Sequence, residues 1–440
     1  MKKIAVGLIG FGTVGTGVVK IVQKHAALLR QRTGVPIELK RIADLDTKTD
    51  RGVALQKGVL TSDVRAVIDD PGIDIVVELI GGIEPARTFM LEAIAGGKHV
   101  VTANKALLAG HGHDIFKAAA RSGVDVAFEA SVAGGIPIIR TLQEGFVSDR
   151  ILSFYGILNG TANYILSRMA DGGGSFDAIL RDAQASGYAE ADPTFDIEGI
   201  DTLHKLAVLT GLAFGKKADM KKIYTEGISK ITPLDIEFAR ELGYKIKLLA
   251  ICRGSQREVD ARVHPTLIPE SHLLSQVNDT FNAVFLQSRD VGPTMFYGRG
   301  AGMMPTGSAV VADIAGLARN IVKDAAGRVA LFPGRKTDVG EIRIKPVRDI
   351  QTRYYLRFSA VGKPGVLSKI SGILGRNHIS IYSVVQKGRR AGGGAVPIFM
   401  LTHQAREADL QKALRQMDRL TLLKQQTMVI RIEDSILQDG

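Results

Sequence analysis

The chain has 440 residues, 45% of them hydrophobic and 23% charged, which is the composition of a folded globular protein with two or three domains. Its formal net charge of +12 comes from basic residues spread along the chain without an aromatic-interleaved basic stripe, which disfavours a nucleic-acid binder. The single cysteine excludes an intramolecular disulfide framework, and no run of about 18 apolar residues indicates a membrane span, so we expect a cytoplasmic protein.

The N-terminal residues indicate a strand, a glycine-rich turn and a helix. An apolar run from Lys3 to Ile9 precedes the sequence GFGTVG at residues 10–15, and apolar residues then recur at helical spacing from Thr16 to about Arg30. In this context G-x-G-x-x-G is a dinucleotide fingerprint, because its glycines permit a tight turn and a close approach of the pyrophosphate to a helix N-terminus. The fingerprint predicts cofactor contacts at Gly10, Gly12 and Gly15.

A second predicted strand, Ile37 to Ala43, ends at Asp44. A carboxylate at this position takes the ribose hydroxyls and favours NAD, whereas Arg41 and Lys48 offer partners for the 2′-phosphate of NADP. Both cofactors therefore stay open at this point.

Two further apolar runs, Ile73 to Ile80 and His99 to Thr102, extend the predicted sheet. In an open parallel sheet the carboxyl ends of the strands line the ligand crevice. We therefore expect Gly81, Thr102 and Lys105 to face the cofactor and substrate, although a lysine after a strand is more often simply solvated.

The strand Val124 to Phe128 is followed by a turn of small residues from Glu129 to Pro137. Such a turn leaves backbone carbonyls free, and with an acid beside it the turn suits a hard monovalent cation. A plain tight turn explains the same residues.

The middle of the chain alternates strand-like and helical runs, which predicts an α+β domain. Cys252 lies inside an apolar strand and is interpreted as a buried core thiol, not a nucleophile. The predicted strands are Ile151 to Leu158, Lys245 to Cys252 and Asp260 to Pro265, and the predicted helices are Thr161 to Met169, Phe176 to Ser186, Asp201 to Gly211 and Pro233 to Leu242.

The stretch Gly187 to Lys205 contains five carboxylates and one lysine. Pro193 keeps Glu190 on a loop, and the apolar pattern from Ile200 predicts a helix with Asp201 and Lys205 on one face. The calcium-loop spacing is absent. A surface ion pair beside an acidic loop and a site for a small zwitterion both fit; in the second, the acids hold an ammonium group and a buried lysine exchanges a proton.

The last third begins with a glycine turn at residues 298–302 and a helix of small residues from Ser308 to Asn320. After Gly334 to Thr337 the order is strand Arg353 to Ala360, a helix, strand Ile379 to Gln386, a glycine-rich loop at 388–394, strand Ala395 to Thr402, helix Glu407 to Met417 and strand Thr427 to Ile432. This β-α-β-β-α-β order is ferredoxin-like.

Together these motifs resemble the long bacterial type of homoserine dehydrogenase, over essentially the whole chain. The segments that carry the resemblance are GFGTVGTG, VVTANKALLA, EASVAGGIP, GYAEADPTFDIEGIDTLHK, YGRGAG with a following PT, and VGKPGVLSKISGIL. The resemblance implies an α/β protein with a Rossmann-type doubly wound parallel sheet, an α+β substrate and dimerisation domain, and a C-terminal ferredoxin-like ACT domain. The expected limits are 1–136, 137–300, 301–340 for a returning helix and linker, and 350–433.

The resemblance also implies roles for individual residues. Lys205 would give and take the proton, with Lys105 a second essential lysine, while Glu190 and Asp201 would hold the substrate. The implied nucleotide contacts are Phe11, Thr13, Val14, Lys105, Gly187 and Gly302, and the implied sodium ligands are Glu129, Val132, Gly134 and Ile136, mostly through main-chain carbonyls.

The implied reaction is reversible hydride transfer between NAD(P)H and L-aspartate 4-semialdehyde, which gives L-homoserine. An aspartate-semialdehyde dehydrogenase would need a nucleophilic cysteine, which the strand position of Cys252 disfavours. A non-catalytic sensor of nucleotide and amino acid is the second hypothesis, and the presence of both lysines and both acids speaks against it.

The C-terminal module resembles ACT domains, which bind amino acids at the turn before their first helix. Feedback inhibition, typically by threonine, is therefore implied. Many ACT domains have Asp where this chain has Lys363, which affects the identity of the effector more than that of the module. Because ACT sheets commonly pair between subunits, we expect a homodimer or homotetramer.

Overall fold

The computed structural model of the chain describes residues 3–329, 340–386, 395–434 and 436. Residues 334–337, after which the C-terminal strands were predicted, and the predicted glycine-rich loop at 388–394 lie outside these ranges. Within them, the architecture agrees with the expected α/β fold class.

The N-terminal part is a parallel sheet with strand order β3-β2-β1-β4-β5-β6. Its central strands are continuous apolar runs because helices cover both faces of the sheet. This order is that of a dinucleotide-binding fold, in which ligands bind where the strand order reverses beside β1. The strands are β1 Ile4–Ile9, β2 Ile37–Ala43, β3 Leu60–Thr61, β4 Ile75–Glu78, β5 His99–Thr102 and β6 Val126–Ala127.

The helices of this part include one departure from the predicted elements. The single helix predicted from Thr16 to Arg30 is two helices that meet at His25, whose φ of −112° and ψ of 22° are not helical. The first of them begins at Thr13, directly after the glycine turn. The helices are α1 Thr13–Lys24, α2 Ala26–Thr33, α3 Arg65–Ile68, α4 Ala86–Ala95 and α5 Lys105–Ser122.

The middle of the chain forms one side of a second, mixed sheet with the order β12-β11-β7-β9-β10. The hairpin of β11 and β12 was not predicted; it pairs with β7, more than 100 residues earlier in the chain. The strands are β7 Ile151–Ile157, β8 Tyr224–Thr225, β9 Tyr244–Gly254, β10 Glu258–Pro269, β11 Phe281–Ser288 and β12 Pro293–Arg299.

Helices pack on one face of this second sheet and form the main hydrophobic core with it. The predicted middle helices are present, with ends that differ from the prediction by at most three residues. They are α6 Ile138–Arg140, α7 Gly160–Gly172, α8 Phe176–Ala185, α9 Thr194–Ile197, α10 Ile200–Phe214 and α11 Pro233–Glu241, with short 3-10 turns at Glu129–Ser131, Met220–Lys222, Leu273–Gln276 and Val347–Asp349 and a π turn at Thr141–Gly145.

Helix α12, Met303–Val322, returns to the nucleotide sheet and packs along α1. The contact is close because it involves glycines: a Cβ on Gly17 would lie 2.2 Å from the carbonyl oxygen of Met303, and a Cβ on Gly307 would lie 2.9 Å from the backbone of Gly17. Backbone-to-backbone packing therefore fixes the start of α12 beside the glycine turn.

The C-terminal part has the predicted β-α-β-β-α-β order, with the sheet order β18-β14-β16-β15. Two helices cover one face and form a separate core with it. The elements are β13 Arg343–Ile344, β14 Gln351–Val361, α13 Val366–Arg376, β15 Ile381–Gln386, β16 Ala395–Thr402, β17 Ala405–Arg406, α14 Glu407–Met417 and β18 Met428–Ile432.

The middle and C-terminal strands belong to one continuous sheet, because β18 pairs in parallel with β10 through Thr266 opposite Arg431. Asp235 of α11 is fully buried and accepts hydrogen bonds from Tyr355 and Arg357 of β14. The C-terminal part is therefore joined to the middle of the chain by a strand pairing and by buried polar contacts. Among the described residues, no helix is long and apolar enough to cross a membrane.

Candidate active site

Helix α10 carries the central pair of the candidate site. It begins after Gly199, whose φ of +80° breaks the chain from α9. Asp201 lies in the first turn and Lys205 one turn later, and both are buried. Lys205 Nζ donates to Asp201 Oδ2 at 2.7 Å. The i, i+4 spacing anticipated from the sequence thus produces a buried ion pair.

A second lysine reaches the same carboxylate from the nucleotide domain. Lys105 is the first residue of α5, after the N-cap residue Asn104, and its Nζ lies 3.1 Å from Asp201 Oδ1. The Lys105 side chain is one-third exposed, and its Nζ lies 5.8 Å from the ring centroid of Phe195. The carboxylate of Asp201 therefore contacts one buried and one accessible ammonium at the carboxyl end of β5.

In the triad of Lys205, Asp201 and Lys105, burial and neighbouring charges change the pKa of Lys205 and the pKa of Asp201. Burial lowers the pKa of Lys205, the charge of Asp201 opposes that shift, and the charge of Lys105 adds to it. Burial alone would raise the pKa of Asp201, but the two lysines outweigh it and lower that pKa to about 2. Asp201 is therefore ionised throughout the neutral range, while Lys205 is the group prepared to release a proton.

Two consecutive residues after β7 complete the surroundings of the pair, and neither was predicted from the sequence. The carbonyl oxygen of Leu158 accepts from Lys205 Nζ at 2.6 Å, and Asn159 Nδ2 donates to Asp201 Oδ2 at 2.9 Å. Asn159 is also the N-cap of α7. The sequence signal that could have found it is an Asn between a strand and a Gly-initiated helix.

The loop before α9 holds the other predicted substrate residue. Glu190 is exposed, and within the described part of the chain its carboxylate makes no hydrogen bond or ion pair; its carbonyl oxygen accepts from Gln184 Nε2 at 3.0 Å. Gly187 has φ +73° where the chain leaves α8. Among the described residues, the Glu190 carboxylate is therefore free to take a ligand, and it makes no hydrogen bond or ion pair with the buried triad.

The glycine turn fits a nicotinamide dinucleotide. Gly10 has φ +101°, and a Cβ there would lie 2.8 Å from the backbone of Leu79. A Cβ on Gly15 would lie 2.2 Å from the carbonyl oxygen of Gly10, whereas one on Gly12 would meet no protein atom within 4 Å. Two glycines therefore serve the turn and the helix packing, and the third leaves an open approach to the start of α1, at exposed Thr13 and half-buried Val14.

The carboxylate after β2 has an additional role. Asp44 Oδ2 accepts from the backbone N–H of Phe11 at 2.5 Å, which fixes the glycine turn. The basic side chain beside it is Arg51, not Arg41 or Lys48 as anticipated: its guanidinium lies 4.7 Å from the ring centroid of Phe11 and 3.6 Å from Asp44. The Phe11 side chain itself is buried in the core.

Gly302 lies at the N-terminus of α12 with φ +117°. Its neighbour Met303 contacts Gly17 of α1, so Gly302 lies close to the nucleotide turn, although it is almost 300 residues away in the sequence.

The turn after β6 has a backbone suited to carbonyl ligation. Ala133 and Gly134 are consecutive residues with positive φ, of 55° and 54°. The carboxylate of Glu129 accepts from the N–H groups of Ile139 and Arg140 at 2.8 and 2.9 Å, so it is already engaged. Burial raises the pKa of Glu129, and those N–H groups oppose the shift. The carbonyl oxygen of Ile136 accepts from Ile138, and Val132 is fully buried.

Cys252 is fully buried in β9, and Thr210 Oγ1 lies 3.5 Å from its sulfur. Burial raises its pKa to about 12. A thiol held neutral in a core strand does not act as a nucleophile, which removes thioacyl chemistry from consideration.

A dinucleotide-binding sheet set beside a buried lysine–carboxylate pair defines a nicotinamide-dependent oxidoreductase. Three family profiles match the chain: "Homoserine dehydrogenase, NAD binding domain" over residues 10–129, "Homoserine dehydrogenase" over 137–315 and "ACT domain" over 354–420. The chain belongs to the homoserine dehydrogenase family, whose members are oxidoreductases acting on a CH–OH group.

Individual relatives agree over nearly the whole length. The homoserine dehydrogenase of Pseudomonas aeruginosa is 44% identical over 435 residues, covering 98% of this chain and 99% of that protein. That of Bacillus subtilis is 40% identical over 433 residues with the same coverage. The crystal structure of a homoserine dehydrogenase from Thiobacillus denitrificans superposes with a TM-score of 0.92 at 48% identity, over 99% of each chain.

Proposed function

We propose that this chain catalyses the reversible reduction of L-aspartate 4-semialdehyde to L-homoserine with NAD(P)H, and that Lys205 is its proton donor and acceptor. The observation that carries the role of Lys205 is its position, buried against Asp201 and near Lys105. Burial and the charge of Lys105 lower the pKa of Lys205, and Asp201 opposes that shift. A lysine whose pKa is lowered gives up its proton more readily than a solvated lysine, which suits an acid–base group.

The chain's own residues then have distinct tasks. The Lys205 ammonium donates a proton to the substrate oxygen during reduction, and the neutral amine takes it back during oxidation. Asp201 keeps Lys205 in place, and Lys105 contributes positive charge beside the oxygen that becomes negative. The nicotinamide cofactor supplies or accepts the hydride when bound.

Glu190 and Asp201 are the proposed substrate-binding acids. The free, exposed carboxylate of Glu190 suits the α-ammonium group of an amino acid that arrives from solvent. Asp201 would contribute from inside the site, where it is already ionised.

We infer that the cofactor lies on the glycine turn and the start of α1, with further contacts from Lys105, Gly187 and Gly302. Thr13 and Val14 follow the open side of Gly12. NADPH and NADH are both proposed as cofactors: Asp44 suits ribose hydroxyls, and the neighbouring Arg51 suits a 2′-phosphate.

A structural sodium ion is proposed at the turn that follows β6, through main-chain carbonyls of Glu129, Val132, Gly134 and Ile136. The consecutive positive-φ residues support this, since they turn carbonyls out of regular hydrogen bonding. Nearby, the buried amide of Asn282 packs against Gly300 and has no partner within the described residues, as expected beside a site that holds an ion or water. Exchange of sodium for choline should then lower thermal stability.

The C-terminal module is proposed to bind an amino-acid effector, with threonine as the first candidate, at the turn from Lys363 to Gly365 before α13.

A homodimer or homotetramer is also proposed, because the edge strand β15 exposes the side chains of Tyr382 and Val384, by 59% and 39%. We infer a cytoplasmic location, which one cysteine in 440 residues supports.

The test is NADPH and NADH oxidation with L-aspartate 4-semialdehyde by the wild type, Lys205→Ala and Lys221→Ala. Lys221 is an exposed lysine of the same domain and serves as the matched control. Rapid turnover by the wild type and Lys221→Ala, with a loss of about 100-fold or more in Lys205→Ala, is expected for a lost proton donor. Full activity in Lys205→Ala would refute its role, and nucleotide binding without any wild-type turnover would favour the sensor hypothesis.

A further inference from the structure

Asn159 occupies an unusual position between strand and helix at the centre of the candidate site. It is 5% exposed and is the N-cap of α7, where its Oδ1 accepts from the N–H of Ala162 at 2.8 Å. The preceding residue, Leu158, gives its carbonyl oxygen to Lys205. One dipeptide therefore contacts both members of the buried ion pair.

The amide nitrogen of Asn159 connects two acids from different helices. Nδ2 donates to Asp201 Oδ2 at 2.9 Å and to Asp196 Oδ1 of α9 at 2.7 Å. Because Oδ1 accepts the capping bond and Nδ2 donates to both acids, three hydrogen bonds fix the Asn159 side chain in one orientation. Asn is suited to this because an amide donates two hydrogens and accepts at its oxygen without carrying charge.

The same oxygen of Asp201 also accepts from Lys205, and the other oxygen faces Lys105 at 3.1 Å. The terminal torsion of an aspartate is broad, so contacts must fix the plane of its carboxylate. The Asn159 bond adds to the two lysine contacts in holding that plane, and it withdraws electron density from the carboxylate that faces the ammonium.

We propose that Asn159 is a positioning residue of the dehydrogenase reaction, which holds Asp201 in register with Lys205 and ties the α9 loop to the site through Asp196. The inference rests on the proposed acid–base role of Lys205. In this proposal Asn159 acts through Asp201 and Asp196, to which its amide nitrogen donates.

The proposal predicts a graded effect on the pH profile. Charged groups that act on Lys205 are Asp201 from its own helix, Lys105 from α5 and Asp196 from α9. Asn159→Ser retains a capping oxygen, but the shorter side chain does not reach Asp201. Asp201 then loses the hydrogen bond that withdraws its electron density, and its negative charge stabilises the Lys205 ammonium more strongly. Asn159→Asp retains the cap and adds a third negative charge. Both changes favour the ammonium and move the rise of kcat for homoserine oxidation to higher pH.

The experiment measures kcat and KM for homoserine oxidation from pH 6 to 11, a window around the usual lysine pKa of about 10.4, in the wild type and four variants. They are Asn159→Ser, Asn159→Asp, Lys205→Ala and Ser175→Ala, the last of which removes the N-cap of α8 as a control for capping. An upward shift of roughly one pH unit is expected for Asn159→Asp and a smaller one for Asn159→Ser, with kcat lowered more than KM is raised. Ser175→Ala should keep the wild-type profile.

Suppose that Lys205→Ala is inactive. The inference is then overturned if the pH profiles of both Asn159 variants are unshifted, or if Ser175→Ala shifts its profile equally. Full activity in Lys205→Ala would overturn both the inference and the acid–base role on which it rests. If Asn159→Asp does not fold, as judged by its thermal melt, the Asn159→Ser profile alone decides.

Discussion

The carboxylate of Asp201 is shared between two lysines that differ in burial, and this determines how the site should respond to pH. Asp201 opposes the burial that lowers the pKa of Lys205. Removing its charge leaves burial and the repulsion from Lys105, so the pKa of Lys205 falls further. In the proposed mechanism, oxidation of homoserine needs neutral Lys205, so the pH profile of this reaction should follow the pKa of Lys205.

Asp201→Asn is therefore expected to move the rise of homoserine oxidation to lower pH, with kcat reduced by roughly 100-fold because the amide no longer anchors the ammonium. Steady-state profiles of the wild type and the variant test this. Asp192→Asn is the control, since Asp192 is an exposed acid of the preceding loop. A shift to higher pH would show that Asp201 does not govern Lys205.

Arg51 is the residue that we expect to influence the choice between NADPH and NADH. Its guanidinium contacts the ring of Phe11 and lies near Asp44, where the adenosine ribose of a bound dinucleotide belongs. Arg51→Ala should raise the KM for NADPH by about tenfold, which corresponds to roughly 1.4 kcal/mol of charge-assisted binding, with less effect on NADH. Arg41→Ala serves as the matched control. Equal effects on both cofactors would mean that Arg51 only supports the glycine turn through Phe11.

Among the elements, α1 and α12 depend on each other most directly. A Cβ on Gly17 would come within 2.2 Å of the carbonyl oxygen of Met303, so Gly17→Ala must separate the helices or shift α12. We expect a loss of about 1–3 kcal/mol in the free energy of unfolding and a higher KM for the cofactor, since Gly302 moves with α12.

Gly110→Ala is the control for this change. Gly110 lies inside α5, and a Cβ there meets nothing within 4 Å, so the substitution should stabilise the protein by up to about 1 kcal/mol. Urea unfolding and NADPH titration of both variants measure the two effects. An unchanged cofactor KM in a destabilised Gly17→Ala would separate packing from nucleotide binding.

The elements also show what the sequence could and could not predict. The glycine turn and the Asp201–Lys205 spacing are local patterns, so the parallel sheet, α10 and its ion pair could be predicted. The β11–β12 hairpin was missed because β12 is largely exposed and lacks a clear apolar alternation. Leu158 and Asn159 were missed because they meet α10 only through the fold, 47 and 42 residues away in sequence.

At the scale of the whole molecule, the C-terminal module and the active site are linked by a short segment after β8. Glu226 accepts from Arg431 of β18 at 3.0 Å and from the hydroxyl of Tyr224 at 2.8 Å. The next residue, Gly227, packs so tightly that a Cβ would lie 2.4 Å from the carbonyl oxygen of Ile197, just before α10 begins. A shift of β18 would therefore be transmitted to the helix that carries Asp201 and Lys205.

This link predicts the behaviour of Glu226→Gln. The variant keeps a hydrogen-bonding side chain but loses the charge that pairs with Arg431, so basal turnover should stay within about twofold of the wild type. For the proposed inhibition by threonine, we expect the threonine concentration needed for half-inhibition to rise by about fivefold or more. This corresponds to a coupling free energy of roughly 1 kcal/mol.

The matched control is Glu258→Gln, which breaks the exposed pair with Arg343 on the same sheet and should leave inhibition unchanged. Threonine titrations of activity, together with urea unfolding, distinguish the outcomes. Reduced stability with unaltered inhibition would mean that the Arg431–Glu226 contact only joins the domains. Weaker inhibition at unaltered stability would mean that effector binding acts on α10 through the Arg431–Glu226 contact. In that case the ion pair contributes to the coupling between the sites and not to the stability of the fold.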